Sequence, residues 1–545
     1  MRNRKALFCL IVVAGMAYAN SLFAGFVWDD NSLIVQKQAF FSHPYDAFRI
    51  LVLSDAPAGM KTPYYRPLNT LSYMLDHYLW GLHPFWYHLE NLLLHLLVTA
   101  LFYLLLAEVF ANKRLAFFSA LLFGVFPVNA EAVDAVFNRN TLFCALFSIA
   151  SLLLLAKGGR KWAAMSLLAY FLALLSKEPS VVLPFFLLSF SLVSRQNFKI
   201  DQHVLAGFFG MTALYFMIRR FVLGVFIAKT GLSFSIARLK LVSAVYFEHF
   251  RLFVFPFKLN ALYTEHLISF SLFKAVTVFL GILLLLYFSL KRGVPVPVRA
   301  GAQWMFWGLL PVSNVIKIPS APVAERFQYM IVFGFVLILG YLMDRICQKR
   351  AAVGTVVVAA LCVAFGVRTF ERNFVWKDDA SLFSSMIMAD PGNVIGRGDL
   401  AITYEKQGDL ESAAREFRAA LVSEPGDSDA RTDLGVIYAE EGNMKKAVQE
   451  FKTALRFNSG FVQAYLDLGV AYAKEDRLDQ AAREFRQAIT VGPAVAQSHF
   501  DLAEIYEKEG RSKEAADEIQ NVLRLDPENM NALEYLGKIE GQAAR

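Results

Sequence analysis

The sequence predicts an all-α protein, in which a polytopic helical membrane domain precedes a helical repeat domain. Three observations support this fold class. The chain of 545 residues is 56% hydrophobic and contains 50 phenylalanines, whereas soluble domains average about 45–50% apolar residues. Charged residues are sparse along residues 1–370 and dense after them. Finally, a 34-residue sequence period begins near residue 397.

These shifts in composition divide the chain into three segments. We expect a membrane domain over 1–370, a helical connector over 371–396 and a repeat domain over 397–545. The net charge of +7 is modest, and basic loops between membrane spans account for it. Nucleic-acid binding is therefore not predicted. No disulfide framework is predicted either, because all four cysteines lie in or beside apolar runs: Cys9, Cys144, Cys347 and Cys362.

Apolar runs in the first domain predict about eleven spans, since about 20 apolar residues suffice for a helix to cross a membrane. The expected spans are 6–26, 85–110, 115–128, 140–156, 162–176, 179–194, 203–219, 271–290, 299–312, 326–344 and 351–369. The first run also resembles a signal peptide, with a basic start and an AYA-N site. We favour an uncleaved helix, because the apolar character continues past that site to Phe26; cleavage is the alternative.

Basic loops predict the orientation of these spans. Clusters of Lys and Arg precede the first span and follow the second, fourth, sixth, eighth and tenth. All of them fall on one side if the N-terminus is cytoplasmic. Residues 240–258 must then not cross, and their charges Glu248 and Arg251 suggest an interfacial or re-entrant helix. The repeats would be extracytoplasmic, at a bacterial inner membrane or, in a eukaryote, at the endoplasmic reticulum.

The second domain repeats every 34 residues. Leu400, Leu434, Leu468, Leu502 and Leu536 share this spacing, as do Tyr404, Tyr438, Tyr472 and Tyr506. A 34-residue period with the pattern L-G-x-x-Y…G…A…F is the tetratricopeptide signature. Such arrays form an α-solenoid with a concave groove. We expect this groove to bind a peptide or protein; a scaffold without a ligand is the alternative.

The pair Asp29 and Asp30 is the first candidate site in the membrane domain. It follows Trp28, an aromatic residue of the type that anchors helices at the membrane interface. A partly desolvated carboxylate there can act as a general base on a hydroxyl. The alternative is a solvated helix end without a chemical role.

Further polar residues fall on the same predicted external face. His88 lies in a span, where packing and substrate contact are both open. Glu131 either faces Asp30 or offsets a helix dipole. Lys177 and Arg326 each lie beside an acid, so an internal ion pair is one reading and phosphate binding the other. The external face also carries Arg66, Glu90, Asn91, Asp134, Arg139, Glu178 and Glu325.

Several functional classes lack their motifs. The sequence contains no P-loop, no dinucleotide fingerprint, no H-E-x-x-H, no cysteine metal pattern and no serine nucleophile elbow. ATP-driven transport is therefore not predicted.

A set of collinear motifs then indicates a family. Together they resemble the GT-C superfamily of polyprenyl-phosphate-sugar glycosyltransferases, and within it the transmembrane and tetratricopeptide-repeat (TMTC-like) protein O-mannosyltransferases with their bacterial relatives. The motifs are VWDDN (27–31), YYRPLNTLSY (64–73), HPFWYHLENLLLHLLV (83–98), FPVNAEAV (126–133), LSKEPSVVLP (175–184), FPFKLNALY (255–263), SNVIKIPSAPVAERFQYM (313–330) and VWKDDASLF (375–383). Relatives often have His where this chain has Asn129, which leaves the role of that position open.

The resemblance implies an inverting transfer of sugar from a polyprenyl-phosphate donor to a Ser or Thr hydroxyl. It implies Asp29 and Asp30 as the catalytic pair, and we expect Asp30 to be the base while Asp29 orients the acceptor or the sugar. Glu131, Arg66 and His88 would bind the acceptor or the sugar, and Arg326 and Lys177 the lipid phosphate. A divalent cation assists some superfamily members, but no ligand set for one stands out here.

The sequence therefore predicts two alternative functions of different class. The first is a membrane glycosyltransferase whose repeats dock the acceptor. The alternative is a non-catalytic, membrane-anchored repeat scaffold for envelope assembly. The interfacial charges favour the enzyme, because an anchor needs none of them.

Overall fold

The computed structural model describes residues 3–41, 64–193, 200–224, 235–264, 267–315 and 321–543. The basic loop predicted at Arg195 and Lys199, and the middle of the motif at 313–330, lie outside these residues. The chain forms two compact units, Met1–Asp390 and Pro391–Arg545.

Helices make up the first unit. Its α-helices are α1 Asn3–Ala17, α2 Gln38–Phe41, α3 Pro67–Trp80, α4 Pro84–Phe110, α5 Lys113–Gly124, α6 Ala130–Asp134, α7 Arg139–Ala156, α8 Arg160–Ser176, α9 Leu183–Val193, α10 Gln202–Leu223, α11 Ile236–Val254, α12 Leu272–Leu290, α13 Val296–Leu309, α14 Tyr329–Lys349, α15 Ala351–Asn373 and α16 Asp379–Ala389. Short 3-10 or π turns occupy Ala19–Phe23, Asn31–Val35, Pro127–Asn129, Val136–Asn138, Glu178–Val182, Glu325–Phe327 and Phe374–Trp376. An isolated β-bridge joins Tyr263 to Val323.

Each of the eleven predicted spans coincides with a helical segment. By length and composition, six helices in the described part of the chain can cross a membrane: Pro84–Phe110, Val136–Ala156, Gln202–Leu223, Leu272–Leu290, Tyr329–Lys349 and Ala351–Trp376. A seventh span arises if Lys113–Gly124 and Pro127–Asp134, which are bent by 52° at their break, count as one. The number eleven stays a prediction.

Small residues let helices of the first unit pack closely. Gly301 of α13 and Gly334 of α14 lie against each other, so that a Cβ on either would come within 2.6 Å of the other's carbonyl oxygen. Gly340 of α14 likewise packs on Ser119 of α5. Small residues at helix crossings are the usual solution in membranes, where burial of apolar surface does not by itself drive association.

The segment predicted to lie in the interface forms helix α11. Its charges are neutralised locally: Glu248 pairs with Arg251 at 2.6 Å and with Lys274 at 3.7 Å. The opposite face carries the buried His249, whose Nε2 donates to the carbonyl oxygen of Val312. The helix is therefore packed into the unit, and its predicted depth in the membrane stays a prediction.

The second unit is the tetratricopeptide α-solenoid. Its helices pair as α17 Val394–Lys406 with α18 Leu410–Ser423, α19 Ser428–Glu440 with α20 Met444–Phe457, α21 Val462–Lys474 with α22 Leu478–Val491, and α23 Ala496–Lys508 with α24 Ser512–Leu525; α25 Met530–Ala543 ends the array. Within a pair, Gly435 lies against the ring of Phe451 and Gly469 against that of Phe485. The 34-residue signature therefore marks the contact between the two helices of a repeat.

Candidate active site

The loop after α1 carries the aspartate pair. Its Trp28 has a φ of +51°, in the left-handed region that few residues other than glycine adopt. Asp379, the first residue of α16, holds this conformation: its Oδ1 accepts from the backbone N–H of Trp28 at 2.7 Å, and its Oδ2 from the Asn31 amide at 3.3 Å. Trp28 also packs edge-on against Phe137 and Phe383. A residue 350 positions away thus fixes the aspartate loop.

The two aspartates have different surroundings. Asp30 is fully buried, and its carboxylate accepts backbone N–H groups from Val27 at 3.1 Å and from Phe137 at 2.6 Å. Burial nevertheless raises the pKa of Asp30 to about 7, because it outweighs these two hydrogen bonds. Asp30 therefore ties the aspartate loop to the Val136–Asn138 turn.

Asp29 is the exposed member of the pair. The surrounding protein removes water from its carboxylate and raises its pKa; the charge of Arg326 opposes this shift and that of Glu131 adds to it. No hydrogen bond to the Asp29 carboxylate occurs within the described residues. Asp29, and not Asp30, therefore has the accessible oxygen atoms that a general base needs.

Glu131 and Arg326 form one ion pair. The fully buried Glu131 accepts the backbone N–H of Arg326 at 2.7 Å through Oε2 and the guanidinium through Oε1. The Arg326 guanidinium also lies over the rings of Phe137 and Phe327. Glu131 thus orients Arg326 next to Asp29. The structure forms the internal ion pair, and phosphate binding by Arg326 stays a prediction.

Lys177 lies at the end of α8 and is buried. Its Nζ donates to Thr141 Oγ1 at 2.6 Å. Burial, together with the positive charges of Arg66 and Arg326, lowers the pKa of Lys177 to about 7. These three cations are close enough to repel one another, which is the arrangement expected where an anion binds.

Arg66 and His88 each form hydrogen bonds with a protein group near the site. Arg66 donates to Glu178 Oε2 from Nε at 3.3 Å and from the terminal nitrogen at 2.8 Å. The buried His88 donates from Nε2 to the carbonyl oxygen of Gly25 at 3.1 Å, four residues before Asp29. In this structure both side chains hold neighbouring protein groups; the predicted contact with acceptor or sugar stays a prediction.

A cavity lies beside the two cations. Lys177 and Arg326 line it together with Thr141, and its other walls are mainly apolar, with Phe186, Trp304 and Trp307 among them. A second apolar cavity lies between α4, α7, α9, α13 and α14 and has the lining residues Phe186 and Trp304 in common with the first. Two cations beside mainly apolar walls fit an amphiphile with an anionic head group.

Sequence reasoning missed four residues of this arrangement. Asp379 stands in the quoted VWKDDASLF motif, but nothing local indicates that it reaches the aspartate loop. Thr141, Trp304 and Trp307 lie inside predicted spans and give no signal beyond their type. Among the described residues, no group of three or more His, Cys, Asp or Glu side chains is arranged to hold a metal ion.

Comparison with known proteins adds to this geometry. Residues 399–460 and 466–530 match the tetratricopeptide repeat family. The protein O-mannosyl-transferase TMTC3 of Homo sapiens is 24% identical over 470 residues, which cover 76% of this chain and 51% of the relative. The chain resembles the TMTC protein O-mannosyltransferases.

Two further TMTC-type relatives match over most of the chain. The protein O-mannosyl-transferase TMTC1 of Homo sapiens is 25% identical, covering 64% of this chain and 47% of the relative. The protein O-mannosyl-transferase F38B6.6 of Caenorhabditis elegans is 25% identical, covering 71% and 58%. This chain therefore spans about half the length of the curated relatives it matches.

Proposed function

We propose that this chain is an inverting membrane glycosyltransferase. It would transfer a sugar, with mannose the first to test because of the names of its relatives, from a polyprenyl-phosphate donor to a Ser or Thr hydroxyl of a protein. The reaction would take place on the extracytoplasmic side.

The cavity that begins at Lys177 and Arg326 is the observation that carries this proposal. Its cationic end suits a phosphate, since Arg and Lys are the usual phosphate ligands in proteins. Its apolar walls and the adjoining apolar cavity suit an isoprenoid chain. Asp29 lies within electrostatic reach of Arg326, so the base and the leaving group would be neighbours.

In the proposed reaction the acceptor hydroxyl oxygen attacks the anomeric carbon while the bond from that carbon to the phosphate oxygen breaks. Asp29 takes the hydroxyl proton. Polyprenyl phosphate leaves with the bonding electrons, and its negative charge is stabilised by Arg326 and Lys177. A single displacement inverts the anomeric carbon and needs no covalent sugar–enzyme intermediate.

This assignment reverses the roles first expected for the two aspartates. Asp30 is buried with backbone donors on both carboxylate oxygens, so we assign it to the support of the loop. Asp29 becomes the base because its carboxylate is exposed. Glu131 becomes the residue that orients Arg326.

The repeats would bind the acceptor protein. A tetratricopeptide groove offers an extended surface for a peptide segment. Labelling of single cysteines placed in the repeats, from either side of sealed membranes, tests the proposed sidedness; protection from an external reagent in intact spheroplasts would contradict it.

The central experiment measures transfer of labelled mannose from polyprenyl phosphate to a Ser/Thr peptide by the full chain in nanodiscs. We expect Asp29→Asn to lower the rate by about 10²–10⁴-fold, the usual contribution of a general base. Arg326→Gln should also lower it, through loss of charge at the leaving phosphate. Lys161→Met, at an exposed position in the first turn of α8, should leave the rate unchanged.

Full activity of Asp29→Asn would contradict the mechanism. If the wild-type chain transfers no sugar and deletion of the repeats reproduces the phenotype of a full deletion, the scaffold function holds instead.

A further inference from the structure

A second polar pocket lies beside the aspartate loop. Lys37, Arg66, Asn69, Tyr73 and Asn140 are among the residues that line it. Lys37 follows the Asn31–Val35 turn. Arg66 directly precedes α3, Asn69 and Tyr73 belong to α3, and Asn140 lies at the start of α7. The pocket is thus built by the element that carries the aspartates and by its two neighbours.

The pocket adjoins the cationic end of the large cavity. Asn140 lines the pocket, and the next residue, Thr141, lines the cavity and accepts from Lys177. Thr141 in turn donates to the Asn140 amide oxygen at 3.2 Å. On its other side, the pocket residue Tyr73 lies within electrostatic reach of Asp30. A ligand here would lie between the proposed phosphate site and the aspartates.

Hydrogen bonds in the protein fix the orientation of the Asn69 amide. The Tyr73 hydroxyl donates its only proton to the carbonyl oxygen of Val136 at 2.8 Å. It can therefore only accept from Asn69, at 3.1 Å, which places the Asn69 nitrogen toward Tyr73. The other atom of the amide is then Oδ1, on a residue that lines the pocket.

This Oδ1 atom is an unused acceptor. Asn69 is only 6% exposed, and among the described residues no donor lies within hydrogen-bond distance of Oδ1. A buried acceptor without a partner is unfavourable, because it has lost its water without gaining a hydrogen bond. A ligand that supplies a proton donor at this point provides that hydrogen bond on binding.

The same features select the class of ligand. A phosphate has no proton to donate at its anionic oxygens, and Arg66 is already paired with Glu178 and stacked on Tyr64. A neutral group rich in hydroxyls fits better, because each hydroxyl donates one hydrogen bond and accepts others. Tyrosine rings beside amides are suited to the apolar and polar faces of a sugar ring.

We propose that this pocket binds the sugar of the donor, and that Asn69 determines specificity by accepting a hydrogen bond from one sugar hydroxyl. The proposal rests on the proposed function, because the donor's phosphate is assigned to the neighbouring cations. It gives Asn69 and this pocket a role in sugar binding that neither the motifs nor the relatives assign.

The test is equilibrium binding to the full chain in nanodiscs, with octyl mannosyl phosphate compared with octyl phosphate. In the wild type we expect the sugar to improve affinity by about tenfold, which corresponds to one hydrogen bond. Asn69→Ala should abolish this difference while the affinity for octyl phosphate stays the same. The unchanged affinity of Asn69→Ala for octyl phosphate, together with an unchanged thermal midpoint, controls for folding.

A set of mono-deoxy mannosyl phosphates then identifies the hydroxyl. One deoxy compound should bind the wild type about tenfold more weakly and bind Asn69→Ala no differently from the parent. If Asn69→Ala keeps the full sugar preference, the pocket assignment is overturned, even where Asp29→Asn still abolishes transfer. If octyl phosphate itself does not bind, the lipid-phosphate assignment of the proposed function fails instead.

Discussion

At the scale of single residues, adjacent carboxylates acquire different properties from their surroundings. Asp30 receives two backbone N–H donors in a buried position, and Asp29 is exposed next to Arg326. Two residues of the same type thus serve as loop support and as proposed base. The physical cause is the difference in solvation, since protein groups enclose the carboxylate of Asp30 whereas Asp29 is exposed.

Asp30→Asn is expected to destabilise the membrane unit. The new amide nitrogen would meet the backbone N–H of Val27 or Phe137, so that two donors face each other without an acceptor. We expect the thermal midpoint of the full chain in detergent to fall by several degrees, and that of Asp29→Asn to stay unchanged. Equal midpoints for the two variants would show that the Asp30 contacts contribute nothing.

We expect the pH profile of kcat/KM for transfer to show the titration of Lys177. Its pKa is about 7, so the lysine is charged below that pH and loses its charge as the pH rises above it. Asp29 acts in the opposite sense, because it must be ionised and its pKa lies above the usual value. We expect kcat/KM to rise with pH at acidic values and to decline above about pH 7.

Lys177→Met tests the alkaline limb of this profile. The variant should be slower at pH 6 and should no longer decline near pH 7, whereas Lys161→Met should match the wild type. An unchanged alkaline limb in Lys177→Met would assign the decline to a different group.

At the scale of elements, a glycine contact positions the helices around the cavity. α13 contributes Trp304 and Trp307 to its wall, and α14 begins two residues after Phe327. The two helices meet at Gly301 and Gly334. Any side chain at this crossing would separate the helices and change the width of the cavity.

Gly334→Ala is therefore expected to destabilise the unit by about 1–3 kcal/mol, the usual cost of overpacking. Its Cβ would lie 2.5 Å from the carbonyl oxygen of Gly301 and 2.9 Å from Met305 Cγ. Gly366→Ala in α15 is the matched control, since a Cβ there meets nothing within 4 Å. Thermal unfolding and octyl phosphate affinity should both weaken in Gly334→Ala alone; parallel behaviour of the two variants would exclude this contact as the cause.

At the scale of the whole molecule, the chain divides into two compact units, of which the second is the repeat unit. The repeat unit has its own electrostatics: Asp399, Asp433, Asp467 and Asp501 recur every 34 residues on the first helix of each repeat. Burial and the neighbouring acids Glu405, Asp429, Asp467 and Asp427 raise the pKa of Asp433 to about 7. Substitutions here should leave the membrane unit unaffected, because distant sites contribute independently.

The sign of this shift predicts the pH dependence of the repeat unit. The folded unit holds a proton on Asp433 that the unfolded chain releases above about pH 3.8, so stability falls as the pH rises from about 4 to about 7. Asp433→Asn should remove this penalty and increase protection of α19 from hydrogen exchange at pH 8, after correction for intrinsic rates. The exposed Asp517→Asn is the control, and equal protection in both variants would contradict the expectation.

The sequence by itself determined the helical class, the repeat and the positions of the polar candidates. Apolar runs and a 34-residue period are local properties, so each predicted span coincides with a helix and the repeat signature marks a helix pair. The motifs also brought Asp29, Glu131, Lys177 and Arg326 into one hypothesis. Resemblance to the TMTC proteins follows from the same collinear motifs.

Only the tertiary structure decided which atoms of these residues are available. We propose Asp29 in place of Asp30 as the base because the Asp30 carboxylate is buried and accepts backbone N–H groups from Val27 and Phe137. Asp379 supports the loop because its carboxylate accepts the backbone N–H of Trp28, 351 positions before it. The unused acceptor on Asn69 depends on a hydrogen bond from Tyr73 to Val136. Hydrogen bonding and solvation depend on neighbours that are distant in sequence, and no local pattern specifies them.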